Sequence, residues 1–318
     1  MAVERIVVLG GTGFVGRAVC ERLVERAGGA GGVLVVPTRR LAHGQAIRHL
    51  PGLELVQADV HDERAAARLF EGAQAVVNLV AILHGSAEEF RRVHVELPRR
   101  IGAACRAAGV ARLVHVSALG VGPGAPSNYL RSKTEGEAVL QAAGLAITIL
   151  RPSVIFGAED RFLNLFAQLQ ALAPLLPLAG RDARFQPVWV EDVARAIAAC
   201  LDRPESIGRT YEAAGPKVYT LGELVRLAGR WSGHERPQVG LPDFAARLQA
   251  LAMELMPGGP LMSRDNLDSM RVPNVASGSL PGLADLGIEP AAMEALAPGW
   301  LGGRSGCARL DALRARRP

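Results

Sequence analysis

The residues Gly10-Gly11-Thr12-Gly13-Phe14-Val15-Gly16 follow directly on an apolar run, Arg5-Ile6-Val7-Val8-Leu9, and lead into a segment of helical periodicity from Phe14 to Arg26. A strand, a glycine turn and a helix in immediate succession leave few folds open. Gly10 permits a tight turn, Gly13 lets a ligand approach the backbone, and Gly16 lets the helix pack close on the strand. The helix start then offers free N–H groups and a positive dipole end, which suits the pyrophosphate of a dinucleotide. A glycine-rich turn with no ligand is the alternative, and the strand–turn–helix context argues against it.

The alternation continues over the first 150 residues. The pattern predicts further strands at Val33–Pro37, Leu53–Gln57, Ala75–Val80, Arg112–Ser117 and Ala146–Leu150, and further helices at Ala42–His49, Glu63–Phe70, Glu88–Ala108 and Asn128–Gln141. Strands this apolar fit a parallel sheet covered on both faces. Repeated βα units give an α/β fold, a doubly wound (Rossmann) parallel sheet. After Arg151 prolines and glycines become frequent, and Phe162–Ala173, Val190–Leu201, Leu221–Trp231 and Pro242–Met256 read as helices, with 257–283 mostly loop. The expected organisation is a dinucleotide domain over 1–157, to which 186–215 return. A smaller, mostly helical lobe takes 158–185 and 216–301, and a basic tail takes 302–318.

Composition narrows the partners. The chain is 49% hydrophobic but only 4% aromatic, so its core is built from Ala, Leu and Val. The net charge is +5, and the arginines that supply it are spread along the chain without a basic stripe interleaved with aromatics, which leaves nucleic-acid binding unsupported. Cys20, Cys105, Cys200 and Cys307 lie far apart and form no metal-ligand spacing, as expected of thiols in a reducing compartment. No run reaches the eighteen or so apolar residues of a spanning helix. A cytoplasmic protein is expected, either free or peripheral on the cytoplasmic face of the inner membrane.

The end of the second strand bears on which dinucleotide is bound. It reads Pro37-Thr38-Arg39-Arg40, without the acid that would accept the ribose 2′-hydroxyl of NAD. Arg39 or Arg40, with Arg17 as a second cation, would pair with the 2′-phosphate of NADP, so NADP(H) is favoured over NAD(H). Asp59-Val60 follows the third strand where an adenine would lie; an acidic helix cap is the alternative for Asp59.

Tyr129 and Lys133 stand four residues apart in a chain with only two lysines and three tyrosines. On a helix they share one face, and the ammonium is expected to lower the phenol pKa from about 10, giving a proton donor for carbonyl reduction. With Val114-His115-Val116-Ser117 and Leu150-Arg151-Pro152, these residues make the chain resemble the short-chain dehydrogenase/reductase superfamily, in its extended branch with the nucleotide-sugar epimerases. Gly13-Phe14-Val15-Gly16-Arg17, Pro37-Thr38-Arg39-Arg40 and Tyr129-Leu130-Arg131-Ser132-Lys133 are similar to the atypical subgroup of the NADPH-binding accessory subunit of respiratory complex I and its bacterial relatives.

The resemblance implies a cofactor site of Gly10, Thr12, Gly13, Phe14, Val15, Gly16, Arg17, Arg39, Arg40, Asp59, Val60, Val80, Ala81, Tyr129, Lys133, Arg151 and Pro152. It implies Tyr129 and Lys133 as catalytic residues, with Ser117 as the candidate hydroxyl. The chain departs from the pattern at Ala118 and Leu119, where extended enzymes carry the working hydroxyl, and at Val93-His94-Val95, where an Asn is usual. Ser127 is a candidate substitute hydroxyl, and His94 is either a proton relay or a satisfied buried histidine.

Phe162, Phe166, Phe185 and Trp189 are candidates for an apolar substrate pocket, and Arg181, Arg184 and Arg209 for diphosphate ligands. The Leu-rich stretches Leu163–Leu178 and Phe244–Met262 read as lobe helices or as faces for a membrane or partner. Three functions stay open: an oxidoreductase or epimerase-like enzyme linked to the respiratory chain or quinone metabolism and acting on a small, lipophilic substrate; a non-catalytic NADPH-binding subunit of a complex I-type membrane complex; and an NADPH redox sensor.

Overall fold

The computed structural model describes residues 4–28, 32–110, 112–255 and 261–302. Six of the strands, β1 (Glu4–Leu9), β2 (Gly32–Thr38), β3 (Leu53–Gln57), β4 (Ala75–Asn78), β5 (Arg112–Val116) and β6 (Ala146–Pro152), join the strand Thr210–Ala213 in one parallel sheet. Its order is (210–213)-β6-β5-β4-β1-β2-β3, so the connections reverse direction between β1 and β4. Ligands of doubly wound sheets bind at that switch point, beyond the carboxyl ends of the strands.

Helix α1 (Phe14–Arg26) packs with α7 (Val190–Asp202), while α2 (Glu63–Phe70) packs against α4 (Leu97–Ala107), which also contacts α5 (Asn128–Gln141). Residues of α2 and α4 share a core with Val7, Leu9, Val35, Val76 and Leu113 of the strands. Local caps set the helix starts: the Asp62 carboxylate accepts from the N–H groups of Arg64 and Ala65, and Ser127 Oγ accepts from Leu130 N–H.

The structure departs from the pattern reading in particular places. The segment expected as a helix over 42–49 is a 3₁₀ helix, Leu41–Ile47. The helix expected over 88–108 is α3 (Ala87–Arg91) and α4 joined by a π-helical turn, Arg92–Glu96, which apolar periodicity does not reveal. The 257–283 segment contains a short helix, Arg264–Ser269, capped by Ser263, and the strand expected to reach Val80 ends at Asn78.

The chain divides into two compact units. Of the described residues, those within 1–152, 190–213 and 276–289 form the first, and those within 153–189, 214–275 and 290–318 the second. The segment expected to return over 186–215 thus joins the first unit from Val190, because Val188–Trp189 pairs with Ile155–Phe156 of the second. Residues 276–289, assigned from sequence to the lobe, belong to the first unit: Ser277 N–H and Oγ both donate to Glu212, and Glu212 N–H donates to Pro281 O. The second unit has its own core around α6 (Leu163–Leu172) and α8 (Leu221–Ser232). The basic tail expected from residue 302, with Cys307, falls outside the described residues apart from Gly302.

Candidate functional site

The glycine loop is shaped as a cradle. Gly10 has φ +83°, a left-handed conformation that favours glycine, and a Cβ there would meet the Leu79 backbone at 3.3 Å. At Gly16 a Cβ would sit 2.5 Å from Gly11 Cα and would overlap the Gly10 carbonyl oxygen. Helix α1 starts at Gly13 with no side-chain cap and no acid in its first turn. Its first-turn N–H groups and dipole therefore remain available to an anion. The loop lies beside the segment after β4, where Leu79 N–H donates to Leu9 O and Val80 N–H donates to Asn78 Oδ1. These features fit the pyrophosphate of a dinucleotide.

At the end of β2, Arg39 and Arg40 are exposed, and Thr38 Oγ1 donates to Arg40 O. Arg39, Arg92 and Arg100 lie close enough to His61 to help hold its pKa down, burial being the larger cause. Asp59 Oδ1 accepts from His61 N–H at 3.0 Å, so this carboxylate shapes the turn after β3. Val60 packs against the core of the first unit, as does Val80, and Ala81 is exposed.

Tyr129 and Lys133 lie in the first two turns of α5. Lys133 is 2% exposed, and its Nζ donates to Val116 O at 2.9 Å, at the end of β5. Burial draws its pKa down to about 8, with Glu137 acting in the opposite sense. Tyr129 is half-buried against the rings of Phe90 and His94, with centroids at 6.0 and 5.5 Å. Its pKa is pushed up to about 12 by burial. This corrects the expectation of a lowered phenol pKa: desolvation of the phenolate outweighs the pull of a lysine already tied to a carbonyl.

His94 lies in the π turn and is fully engaged. Ile82 N–H donates to its Nε2 at 3.1 Å, which places the ring proton on Nδ1, 2.9 Å from Ser132 Oγ; that hydroxyl in turn donates to Tyr129 O. Burial, and secondarily Lys133, push the His94 pKa down to about 3. His94 is therefore a neutral structural tie between the segment after β4 and α5.

His115 was quoted from sequence only as part of a motif, and it sits in the same cluster. Asn78 Nδ2 donates to its Nδ1, so Nε2 carries the proton, buried and without a protein partner among the described residues. Ser117 Oγ, in a residue 4% exposed, is likewise buried without a partner. Ser127 serves as the cap of α5, and Ala118 and Leu119 are buried. Arg151 is bound bidentately by Glu137, at 2.9 and 2.6 Å, and Pro152 O accepts from Leu119 N–H. The missed residues Asn78, His115 and Glu137 stand on separate elements; Asn78 and His115 are marked in the sequence as polar residues inside apolar strands, whereas Glu137, among the charged residues of α5, carries no such mark.

The NAD-dependent epimerase/dehydratase family model matches residues 6–222. The chain belongs to this family. It is 32% identical over 294 residues to the mitochondrial NADH dehydrogenase [ubiquinone] 1 alpha subcomplex subunit 9 of Mus musculus, covering 90% of the chain and 77% of that protein. It is 33% identical over 240 residues to the ceramide reductase of Caulobacter vibrioides, covering 75% and 74%. Among solved structures it resembles the dTDP-glucose 4,6-dehydratase DesIV of Streptomyces venezuelae, solved with NAD and TYD bound. The TM-score is 0.65 at 25% identity, over 75% of this chain and 85% of that one. Fold and family thus agree with the resemblance read from the motifs.

The candidate pocket and diphosphate residues lie largely in the second unit. Phe162, Phe166, Phe185 and Trp189 all pack in the core of the second unit, with Phe162 5.3 Å from Phe166 and 5.7 Å from Phe185. Arg209 belongs to the first unit, whereas Arg181 and Arg184 belong to the second.

Proposed function

We propose that this family member binds NADP(H) and acts as an oxidoreductase on a small lipophilic carbonyl compound at a membrane face. The observation that carries the reading is the Ser117 hydroxyl, without a partner among the described residues and buried one residue beyond the carbonyl that anchors Lys133. A buried hydroxyl without a partner is costly, and a ligand oxygen would satisfy it. The bound nicotinamide supplies or accepts the hydride. The chain's own residues do the rest: the glycine loop and the start of α1 hold the pyrophosphate, Lys133 holds the ribose, and Tyr129 exchanges the proton. The exposed Arg39 and Arg40, with no acid at the end of β2, favour a 2′-phosphate.

The membrane face is supported by α9 (Asp243–Glu254) in the second unit. Phe244 (77% exposed), Leu248 (66%) and Leu251, with Leu255 just past its end, form an outward apolar stripe at helical spacing. No described helix is long and apolar enough to cross a membrane. The ceramide reductase acts, by its name, on a lipid, which agrees with a lipophilic substrate.

A second reading has its own support. Ala118 and Leu119 replace the usual hydroxyl, and Tyr129 is a weak acid at about 12. Both suit a chain that holds NADPH without turning it over, as a component of a membrane complex such as the one named in its mitochondrial relatives. Native purification with mass spectrometry of retained nucleotide and associated proteins, followed by NADPH oxidation assays with lipophilic carbonyls, separates the two. Under the first reading NADP is retained and Tyr129→Phe abolishes oxidation. Under the second, NADP co-purifies with membrane-complex proteins and no carbonyl oxidises it. Retention of NAD overturns the role given to Arg39 and Arg40.

A further inference from the structure

The Lys133 ammonium occupies a seat that disfavours charge. It is buried, His94 and His115 both face it, and each is held neutral by burial with Lys133 itself contributing. The Val116 carbonyl supplies one acceptor for three N–H donors. On its own helix, Tyr129 lies one turn before it and Glu137 one turn after. Glu137 is 3% exposed and stands at i+4, on the face that Lys133 presents to the sheet. Both carboxylate oxygens of Glu137 are gripped by the Arg151 guanidinium from β6, which fixes the carboxylate where it lies.

We propose that Glu137, clamped by Arg151, is the counter-ion that keeps Lys133 charged in its buried seat and so sets the pH range over which the cofactor ribose is held. Glu137 is a positioning residue: it acts through Lys133 and makes no contact with the ribose itself. Arg151, placed by its motif among the cofactor ligands, thereby acquires a different role as the clamp of the counter-ion. Burial alone drives a lysine toward neutrality, and an opposite charge nearby restores the ammonium. Lys133 at about 8 is the balance of the two. Without Glu137 the ammonium is lost lower in the pH range, and NADPH affinity falls with it.

The inference rests on Lys133 as the ribose-holding residue, and the test separates the two claims. The chain has only two lysines, Lys133 and Lys217, so ¹³C-labelled lysine gives two Cε resonances, assigned with Lys217→Arg. Titration of the full, nucleotide-free chain reads the charge of Lys133 directly, and NADPH binding followed over the same pH range reads its consequence. The expected result is a Lys133 midpoint near 8 that drops by about one pH unit or more in Glu137→Gln and is largely restored in Glu137→Asp. A drop of one unit leaves roughly a tenth of the ammonium charged at pH 8 instead of half, about a fivefold loss of NADPH affinity there.

Glu137→Gln leaves Arg151 without its partner and can impair folding. The double variant Glu137→Gln/Arg151→Gln removes both charges while keeping two amides that can pair, and it carries the test in that case. An unmoved Lys133 midpoint in the folded variants overturns the inference. A shifted midpoint with unchanged NADPH binding upholds the counter-ion and overturns the ribose role of Lys133 instead.

Discussion

Gly136 of α5 lies directly against the backbone carbonyl of His94, so closely that a Cβ at position 136 would overlap the oxygen. The π turn that carries His94 and the helix that carries Tyr129 and Lys133 therefore meet backbone to backbone. His94 reinforces the junction through Ser132, and its ring stacks with Phe90 and meets Tyr129 edge-on. This junction sets the depth at which the Tyr129–Lys133 face sits above the sheet.

Substituting Gly136 tests the junction. Alanine is the better helix former by about 1 kcal/mol, but here it must push two backbones apart, and overpacking of this kind costs about 1–3 kcal/mol or more. Gly136→Ala should therefore lower stability in urea denaturation, opposite in sign to the propensity effect.

Acid should weaken the fold through its buried histidines. His94 stays neutral in the folded chain down to about 3 and His115 is also held well below its ordinary value, whereas both protonate near 6.5 when unfolded. The unfolded chain then binds more protons than the folded one, so stability is lost as pH falls below 6.5. His94 should contribute a loss of roughly 2 kcal/mol between pH 6.5 and 5, and His115 a further loss in the same direction. Urea midpoints at pH 7 and 5 measure this, and His94→Gln should flatten the dependence.

Lys133 is expected to cost the nucleotide-free chain stability. Its folded pKa of about 8 lies below the ordinary lysine value of 10.5, so its penalty is fully present below pH 8 and fades as pH rises toward 10.5. The full difference corresponds to roughly 3 kcal/mol. Lys133→Met should raise the thermal midpoint at pH 7 while weakening NADPH binding tenfold or more; unchanged binding would show that the ammonium does not hold the cofactor.

Gly16→Ala is expected to remove nucleotide binding, because the new methyl must displace the loop backbone at Gly10 and Gly11. Arg39→Ala and Arg40→Ala should instead weaken NADPH binding while sparing NADH, since only the 2′-phosphate distinguishes the two. Fluorescence titration with both nucleotides measures the effect. Equal losses for NADPH and NADH would remove the basis for NADP preference.

The parallel sheet and the glycine loop were legible because they depend on local pattern. Ile6-Val7-Val8-Leu9 is apolar at every position, all four residues are buried, and the glycines follow at once. A strand of this kind can only be satisfied when both its faces are covered. The Tyr129–Lys133 spacing likewise placed both residues on one helix, which the structure spans from Asn128 to Gln141.

Their chemistry was not legible, because ionisation is set by what surrounds a group in space. Lys133 lies beside Tyr129 by helical spacing, which pointed to a lowered phenol pKa. Only the packed structure shows that burial governs both groups, and that Arg151 comes from β6 to grip Glu137. The π turn, the engagement of His94, and the His115 Nε2 and Ser117 Oγ left without partners among the described residues depend in the same way on contacts between segments distant in sequence. Periodicity records which face of an element turns inward. It carries no information on which polar atoms then meet, and in a low-dielectric interior those meetings decide charge.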